Sequence, residues 1–439
     1  MESSRVQKVI TVLKSAFDGL KVPVGDPALE ALSVKIYGAM GHESRLFHTV
    51  EHIFSFLPSD DPIYVLAAVF HDLVYSNVDH GWPRGLEGEL AGFAAEPTPS
   101  SAIRTKGLPL AAEALSIFGL QEGDPLPSPG TNEVLSALAL VQLVGGVLPR
   151  DELLAVVVCI EASIPFRTDD TYPIVGKRLK TLGFSAGAIS RQLERAVAFA
   201  NKDVSDFRMK ETSAFLNNTW KLLPELNPAL RLREQFSVVE YARSLLGMEA
   251  FFRFLSPEKI FHSYGSQPEP EILREWKETS GQNLATAIDY LGAKILAIGF
   301  LEAVARTTGG DGPVTLFMGD VDIGSERFEY FLPPSPSPSV ELGLVGEILC
   351  GGRKGSTRFD TNKSPLAYFL ALELYSQGLA KYVSLSKDFM NAKLEPLDYL
   401  RAWPAPLMTT LLEACYRFIP TRQAALRALG TSLGLALAA

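Results

Sequence analysis

Apolar residues return at helical spacing through most of the chain: over about residues 4–20, 28–40, 46–57 and 62–75, then 131–146, 151–162, 171–181, 186–201 and 211–222, and again over 235–255 and 270–307. A repeat of three to four residues puts these side chains on one face of a helix, so the chain is expected to be mainly α. Between residues 80 and 130 the pattern gives way to GWPRGLEGEL, AEPTPSS and GDPLPSPGTN, which predicts loops around a short helix near 109–119, an insertion able to cover a site. After ARTTGGDGP the stretches VTLFM, RFEYFL and VELGLVGEILC carry the alternation and aromatic content of strands, with PPSPSPS as a connecting loop. A small antiparallel β-sheet is therefore expected over about residues 313–352. Helices are expected to resume from Ser364, with Pro365 in the first turn. A soft boundary near residue 230 divides this plan into residues 1–230 and 231–439.

A chain of 439 residues with 47% hydrophobic residues and a mean hydropathy of +0.12 can bury more than one core. Its formal net charge of −9, pI near 5.4 and lack of long basic runs argue against general nucleic-acid binding and against an anionic membrane surface. The most apolar stretch, VLSALALVQLVGGVLP, contains Gln142 and a glycine pair within 16 residues. It falls short of the roughly 20 residues of a bilayer span and reads as a buried helix. The opening residues form an amphipathic pattern without the apolar core of a secretory signal, so a cytoplasmic protein is expected. Cys159, Cys350 and Cys415 are far apart, as buried small apolar residues are, and suggest neither a disulfide framework nor a CxxC site.

Three of the six histidines fall in FHTVEHIFSFL and LAAVFHDLVYSN. His48 and His52 are four residues apart, one turn along a helix face if a helix runs through both. His71 and Asp72 end the apolar run YVLAAVFHDLVY, where a charge is costly unless it is paired or bound to a metal. Imidazole nitrogens with a carboxylate oxygen suit a borderline divalent ion such as Mn, Fe, Ni or Zn. Such a set needs a further ligand, for which Asp203 or Asp206 in NKDVSDF and Glu161 in CIEASIPFR are candidates.

The order His, then His-Asp, then a distant Asp resembles the HD-domain superfamily of metal-dependent phosphohydrolases. RLFHTVEHI followed by LAAVFHDLVY is similar to the pattern YHxxxHI then LAxxFHDxVY of predicted members, over about residues 44–78. The resemblance implies an HD-domain-like helical bundle over residues 1–230. It makes His48, His71 and Asp72 metal ligands and Asp203 the distal aspartate, around one divalent metal ion (Mn, Fe, Ni, Zn or Mg). With no histidine between His80 and His262, a mononuclear site is expected. His52 is then expected to orient substrate or pass a proton, and Glu161 to ligate or accept one. Arg45, Arg167 and Lys202 are expected to meet an anionic substrate, since both cation types donate several hydrogen bonds to phosphate.

The function so implied is hydrolysis of a phosphomonoester or phosphodiester, of which a nucleotide is one form, with a homo-oligomer open. The alternatives are an HD-type iron oxygenase and a non-catalytic, metal-stabilised protein-interaction module. GGRKGSTRFD has the glycines and cations of a phosphate loop without the GxxxxGK[ST] spacing, and MGDVDIG offers Asp320 and Asp322 without the later acidic positions of a calcium loop. Both are expected to be turns, and His262 a structural residue.

Overall fold

A computed structural model describes residues 3–231, 235–321, 324–335 and 340–437. The chain divides into two compact units, one of residues 1–208 and 255–280, the other of residues 209–254 and 281–439. The division thus falls at Arg208 and Met209 instead of near residue 230, and a later segment returns to the first unit.

The longer helices of the first unit are α1 (Arg5–Gly19), α2 (Asp26–Met40), α3 (Val50–Ser55), α4 (Pro62–Phe70), α5 (Pro109–Phe118), α6 (Thr131–Val144), α7 (Arg150–Ala162), α8 (Thr171–Thr181) and α9 (Ala186–Asp203). Helix α7 is apolar on every side, and Leu153 through Ala162 are all buried. That pattern belongs to a central helix, and α7 packs against α4, α5, α6 and α9. Helix α4 starts where the Asp61 carboxylate accepts from the amides of Ile63 (3.0 Å) and Tyr64 (3.4 Å), with Pro62 at the first position. Its residues Val65–Phe70 are buried, which drives its C-terminal end, and therefore His71, into the interior. Helix α9 is capped by the Ser185 hydroxyl on the Ala188 amide (3.3 Å), buries Leu193, Ala196, Val197 and Phe199, and ends on Asp203.

The Pro/Gly-rich segment is built into the same core, through Leu86, Leu90, Phe93 and Ile103. It carries the expected short helix, α5, closed by Gly119 in the left-handed conformation (φ 77°).

The second unit contains α10 (Thr212–Trp220), α11 (Val238–Phe254), the later part of α12 (Pro270–Thr308), α13 (Gly343–Gly351), α14 (Pro365–Tyr375), α15 (Leu379–Met390) and α16 (Ala405–Phe418). Helix α12 has a window apolar enough to cross a membrane, but 78% of that window is buried inside the protein, as in a core helix.

The expected sheet is absent among the described residues, which carry only isolated bridges. VTLFM is helical (Val314–Met318), RFEYFL contains a 3-10 turn (Phe328–Phe331), and LGLVGEILC enters α13. Short apolar runs satisfy strand and helix alike. In α13 the buried positions Ile348 and Leu349 belong to a helical face, and no run finds a partner in register. Part of PPSPSPS and Asp322 of MGDVDIG lie outside the described residues.

Candidate metal centre

His71 caps α4, and its Nδ1 donates to the Ala68 carbonyl (3.1 Å). That tautomer turns the Nε2 lone pair away from the helix. Nε2 faces Asp72 Oδ2 at 3.1 Å and Asp203 Oδ1 at 3.4 Å. His52, in α3, brings its Nε2 to 3.0 Å from Asp203 Oδ1 and 3.6 Å from Asp72 Oδ2. Ligand atoms of His52, His71 and Asp72 all lie within 4.8 Å of one another. His71 Nε2 and Asp72 Oδ2 are buried and have no hydrogen-bond partner.

Two nitrogens and two oxygens thus converge from helices far apart in sequence. Metal–ligand bonds of about 2.1 Å give polyhedron edges of roughly 3.0–3.5 Å; three of the four separations fall in that range and the fourth, His52 to Asp72, is 3.6 Å, while Asp203 meets both imidazoles but lies outside the mutually close set of His52, His71 and Asp72. With neutral imidazoles the two carboxylates carry a charge that the interior must compensate. A divalent cation supplies that compensation, and the donor set fits a borderline ion. Without one, protons on the imidazoles do. Burial works against a charged His71, but the carboxylates of Asp72 and Asp203 outweigh it and hold its pKa well above 6.5. For Asp72 and Asp203 burial acts the other way, and the neighbouring histidines still hold both carboxyls below the ordinary range, Asp203 at about 2.

The ring of His71 is walled by Phe56 (5.1 Å between centroids), His52 (5.3 Å) and Phe199 (5.4 Å), with Phe56 stacked on Phe199 at 4.9 Å. No protein-family model, curated protein or solved structure matches the chain.

His52, expected to orient substrate or pass a proton, joins His71 and Asp72 in the closest group of donors. Residues 46–49 form bends, and α3 begins only at Val50, because Thr49 is extended (φ −104°, ψ 175°). His48 and His52 are consequently not stacked one helical turn apart. Their rings are 6.0 Å apart, and His48 lies on Tyr75 at 4.2 Å while His52 enters the closest group. The positive form of His48 still contributes to lowering Asp72, so it lies within electrostatic reach.

Arg45 is corrected from substrate contact to scaffold. Its side chain is 0% exposed and forks onto Asp79 (2.8 and 2.6 Å), while Nη1 and Nη2 donate to the carbonyls of Asp72 (2.7 Å) and Leu73 (3.2 Å). Every polar direction used here points inward, so the residue positions the Asp72 backbone. Glu161 and Arg167 also turn to each other. Arg167 donates to both Glu161 carboxylate oxygens (2.7 and 3.3 Å), to its carbonyl (2.5 Å) and to that of Ile164 (3.1 Å), closing the end of α7. Glu161 is outside the group of mutually close donors.

Lys202 stands beside Asp203, half-buried, with its pKa lowered by burial and then by the charge of Arg208. Arg208 stacks on Trp276 (4.0 Å), and its buried Nε has no partner. Asn201, two residues before Asp203, exchanges hydrogen bonds with the backbone of His262 (2.8 and 2.9 Å), fixing the end of α9.

Glu133 is a functional candidate that sequence reasoning missed. It sits in the first turn of α6, between two residues that grip the turn after Asp72: Asn132 Oδ1 accepts from the Ser76 amide (3.1 Å) and the Ser136 hydroxyl from the Val74 amide (3.0 Å). Burial first, then the charges of Asp72 and Asp203, push its carboxyl up to about 7. Its signal in TNEVLSALALVQ is only an acidic first-turn residue, as many helices have.

Proposed function

We propose that the chain is a metal-dependent phosphoric ester hydrolase, acting on a small phosphomonoester or phosphodiester such as a nucleotide. We read its first unit as an HD-type helical bundle. The observation that carries this reading is the convergence of the partly buried His52, Asp72 and Asp203 on the buried His71, with His71 Nε2 and Asp72 Oδ2 lacking any other partner. These four residues would hold a single divalent ion, with His48 beside them. A bound divalent ion supplies Lewis acidity toward a phosphoryl oxygen and acidifies water.

The protein's own groups do the rest. Lys202 and Arg208 offer cations to the phosphate beside Asp203. Glu133, whose carboxyl is raised first by its burial in the metal-free protein, lies between the two residues that hold the turn after Asp72 and would take up a proton from the attacking water or return one to the leaving oxygen. Phe56 and Phe199 keep water from the inner side of His71. Arg45, Asn132 and Ser136 hold the turn that carries Asp72.

The test is metal analysis of gently purified protein, beside His71→Ala and Asp72→Ala, followed by phosphate release from a panel of phosphomonoesters, nucleotides and cyclic dinucleotides with Mn, Mg, Ni, Fe or Zn. Near-stoichiometric metal, lost in both variants, with turnover on part of the panel, is expected. Metal-free protein, or metal without turnover on any substrate, sinks the proposal.

A further inference from the structure

Two cations flank Asp203 with donors that the protein leaves unfilled. Arg208 ends the 3-10 turn Ser205–Arg208, which follows α9 directly, and Lys202 precedes Asp203 within α9. The Arg208 guanidinium lies over the Trp276 ring at 4.0 Å, and Trp276 rests on Phe261 at 5.6 Å. Its Nε is buried without a partner. Neither the Arg208 nor the Lys202 side chain forms a hydrogen bond or ion pair with any described residue. Asp206 and Glu275 offset the two charges only through space, and the charge of Arg208 works against that of Lys202. Tyr64 lies within electrostatic reach of both Asp203 and Arg208, and its ring packs on Phe199 (5.2 Å), which also walls His71. The two cations therefore stand on the Asp203 side of the centre, both half-buried. A guanidinium drawn partly out of water without an acceptor is costly, and an acceptor from outside relieves that cost.

Counting oxygens separates the two kinds of ester open to this centre. The phosphate of a monoester carries three non-bridging oxygens and close to two negative charges at neutral pH. That of a diester carries two such oxygens and one charge. With one oxygen given to the ion, a monoester leaves two, one for the fork of Arg208 and one for Lys202. A diester leaves one, so one of the two cations stays unanswered. Stacking on Trp276 also fixes the plane of the guanidinium, which suits a fork onto the rigid tetrahedron of a phosphate.

We propose that Arg208, held on Trp276, selects phosphomonoesters over phosphodiesters at this centre, an inference that rests on the hydrolase reading above. The test reads binding apart from turnover. Full-length protein loaded with Mn is titrated calorimetrically at about pH 8 with phenylphosphonate, which has three free oxygens and no ester bond, and with its monomethyl ester, which has two. Phenylphosphonate is expected to bind about tenfold tighter or more. Arg208→Met keeps an apolar stem against Trp276, so it is expected to melt as the wild type does. It is expected to weaken phenylphosphonate about tenfold to a hundredfold and the ester little, so that the preference disappears. Arg208→Lys keeps the charge without the fork and is expected to recover part of the preference. Turnover is measured separately on phenyl phosphate and diphenyl phosphate. Protein that binds as expected but cleaves neither ester fails as a hydrolase while Arg208 keeps its selective role. Equal affinity for the two ligands in the wild type, a preference unchanged in Arg208→Met, or cleavage of the diester as readily as the monoester overturns the proposal, and the last of these leaves the hydrolase reading standing.

Discussion

Replacing Arg45 by Met separates a positioning residue from a substrate-binding one. The Arg45 and Asp79 side chains are 0% and 1% exposed, so Arg45→Met leaves Asp79 buried with its cation gone. Breaking such a pair costs about 3–5 kcal/mol, a large share of the roughly 5–15 kcal/mol that holds a protein folded. The variant also frees the carbonyls of Asp72 and Leu73, which accept from the guanidinium at 2.7 and 3.2 Å. The turn carrying Asp72 is then held only by Asn132 and Ser136 of α6. The expected result is a drop of many degrees in melting temperature together with weaker metal retention, measured by differential scanning calorimetry and by metal content after dialysis. The double variant Arg45→Met/Asp79→Leu removes the stranded charge and is expected to recover most of the stability. It does not restore the hydrogen bonds to Asp72, so metal retention stays low. A variant that melts like the wild type and retains metal, but shows a raised KM on a phosphate ester, refutes this reasoning and restores Arg45 as a substrate contact.

Three further outcomes follow from the same centre. His71 has a folded pKa well above 6.5, so in metal-free protein its charge contributes stability that is fully present below about 6.5 and is lost as pH rises through the folded value. Asp72 and Asp203 act in the opposite sense, contributing above about 4 and losing that contribution as pH falls, Asp203 toward about 2. Melting curves from pH 4 to 10 should therefore fall on the alkaline side with EDTA and flatten with a divalent ion; an alkaline loss indifferent to metal counts against the centre. Lys202→Ala should raise KM about tenfold or more with kcat little changed, since it removes a charge-assisted contact formed in ground and transition states alike. Glu133→Gln should lower kcat by about 10²–10⁴-fold and flatten the pH profile near 7 while metal content stays at the wild-type level; an unchanged profile removes Glu133 from proton transfer.

What was legible in the sequence depended on how local the determinant is. The His71–Asp72 pair could be read because six consecutive buried apolar positions at the end of α4, Val65–Phe70, force burial on whatever follows. Mainly helical structure was legible for the same reason, since a period of three to four residues needs no partner. The sheet was misread because VTLFM and RFEYFL are too short for periodicity to decide, and only a neighbouring strand would have made them strands. The stacking of His48 and His52 on one helix face rested on a helix through both, and the extended backbone at Thr49 removes that premise.

Long-range partners were the invisible part. Arg45 looks like a free cation until Asp79, 34 residues on, folds onto it. Glu161 looks like a buried acid seeking a role until Arg167 takes both its oxygens. Glu133 is the converse: unremarked in its own helix, it gains its character from a turn more than 50 residues earlier, which Asn132 and Ser136 hold against it. Its carboxyl is raised first by burial and then by charges it did not bring with it, those of Asp72 and Asp203. The candidate centre is therefore built from two kinds of residue. The candidate ligands His52, His71 and Asp72 lie in motifs that a short window contains, and Asp203 and the groups that tune them are set by which helices meet at the ends of α4, α6 and α9.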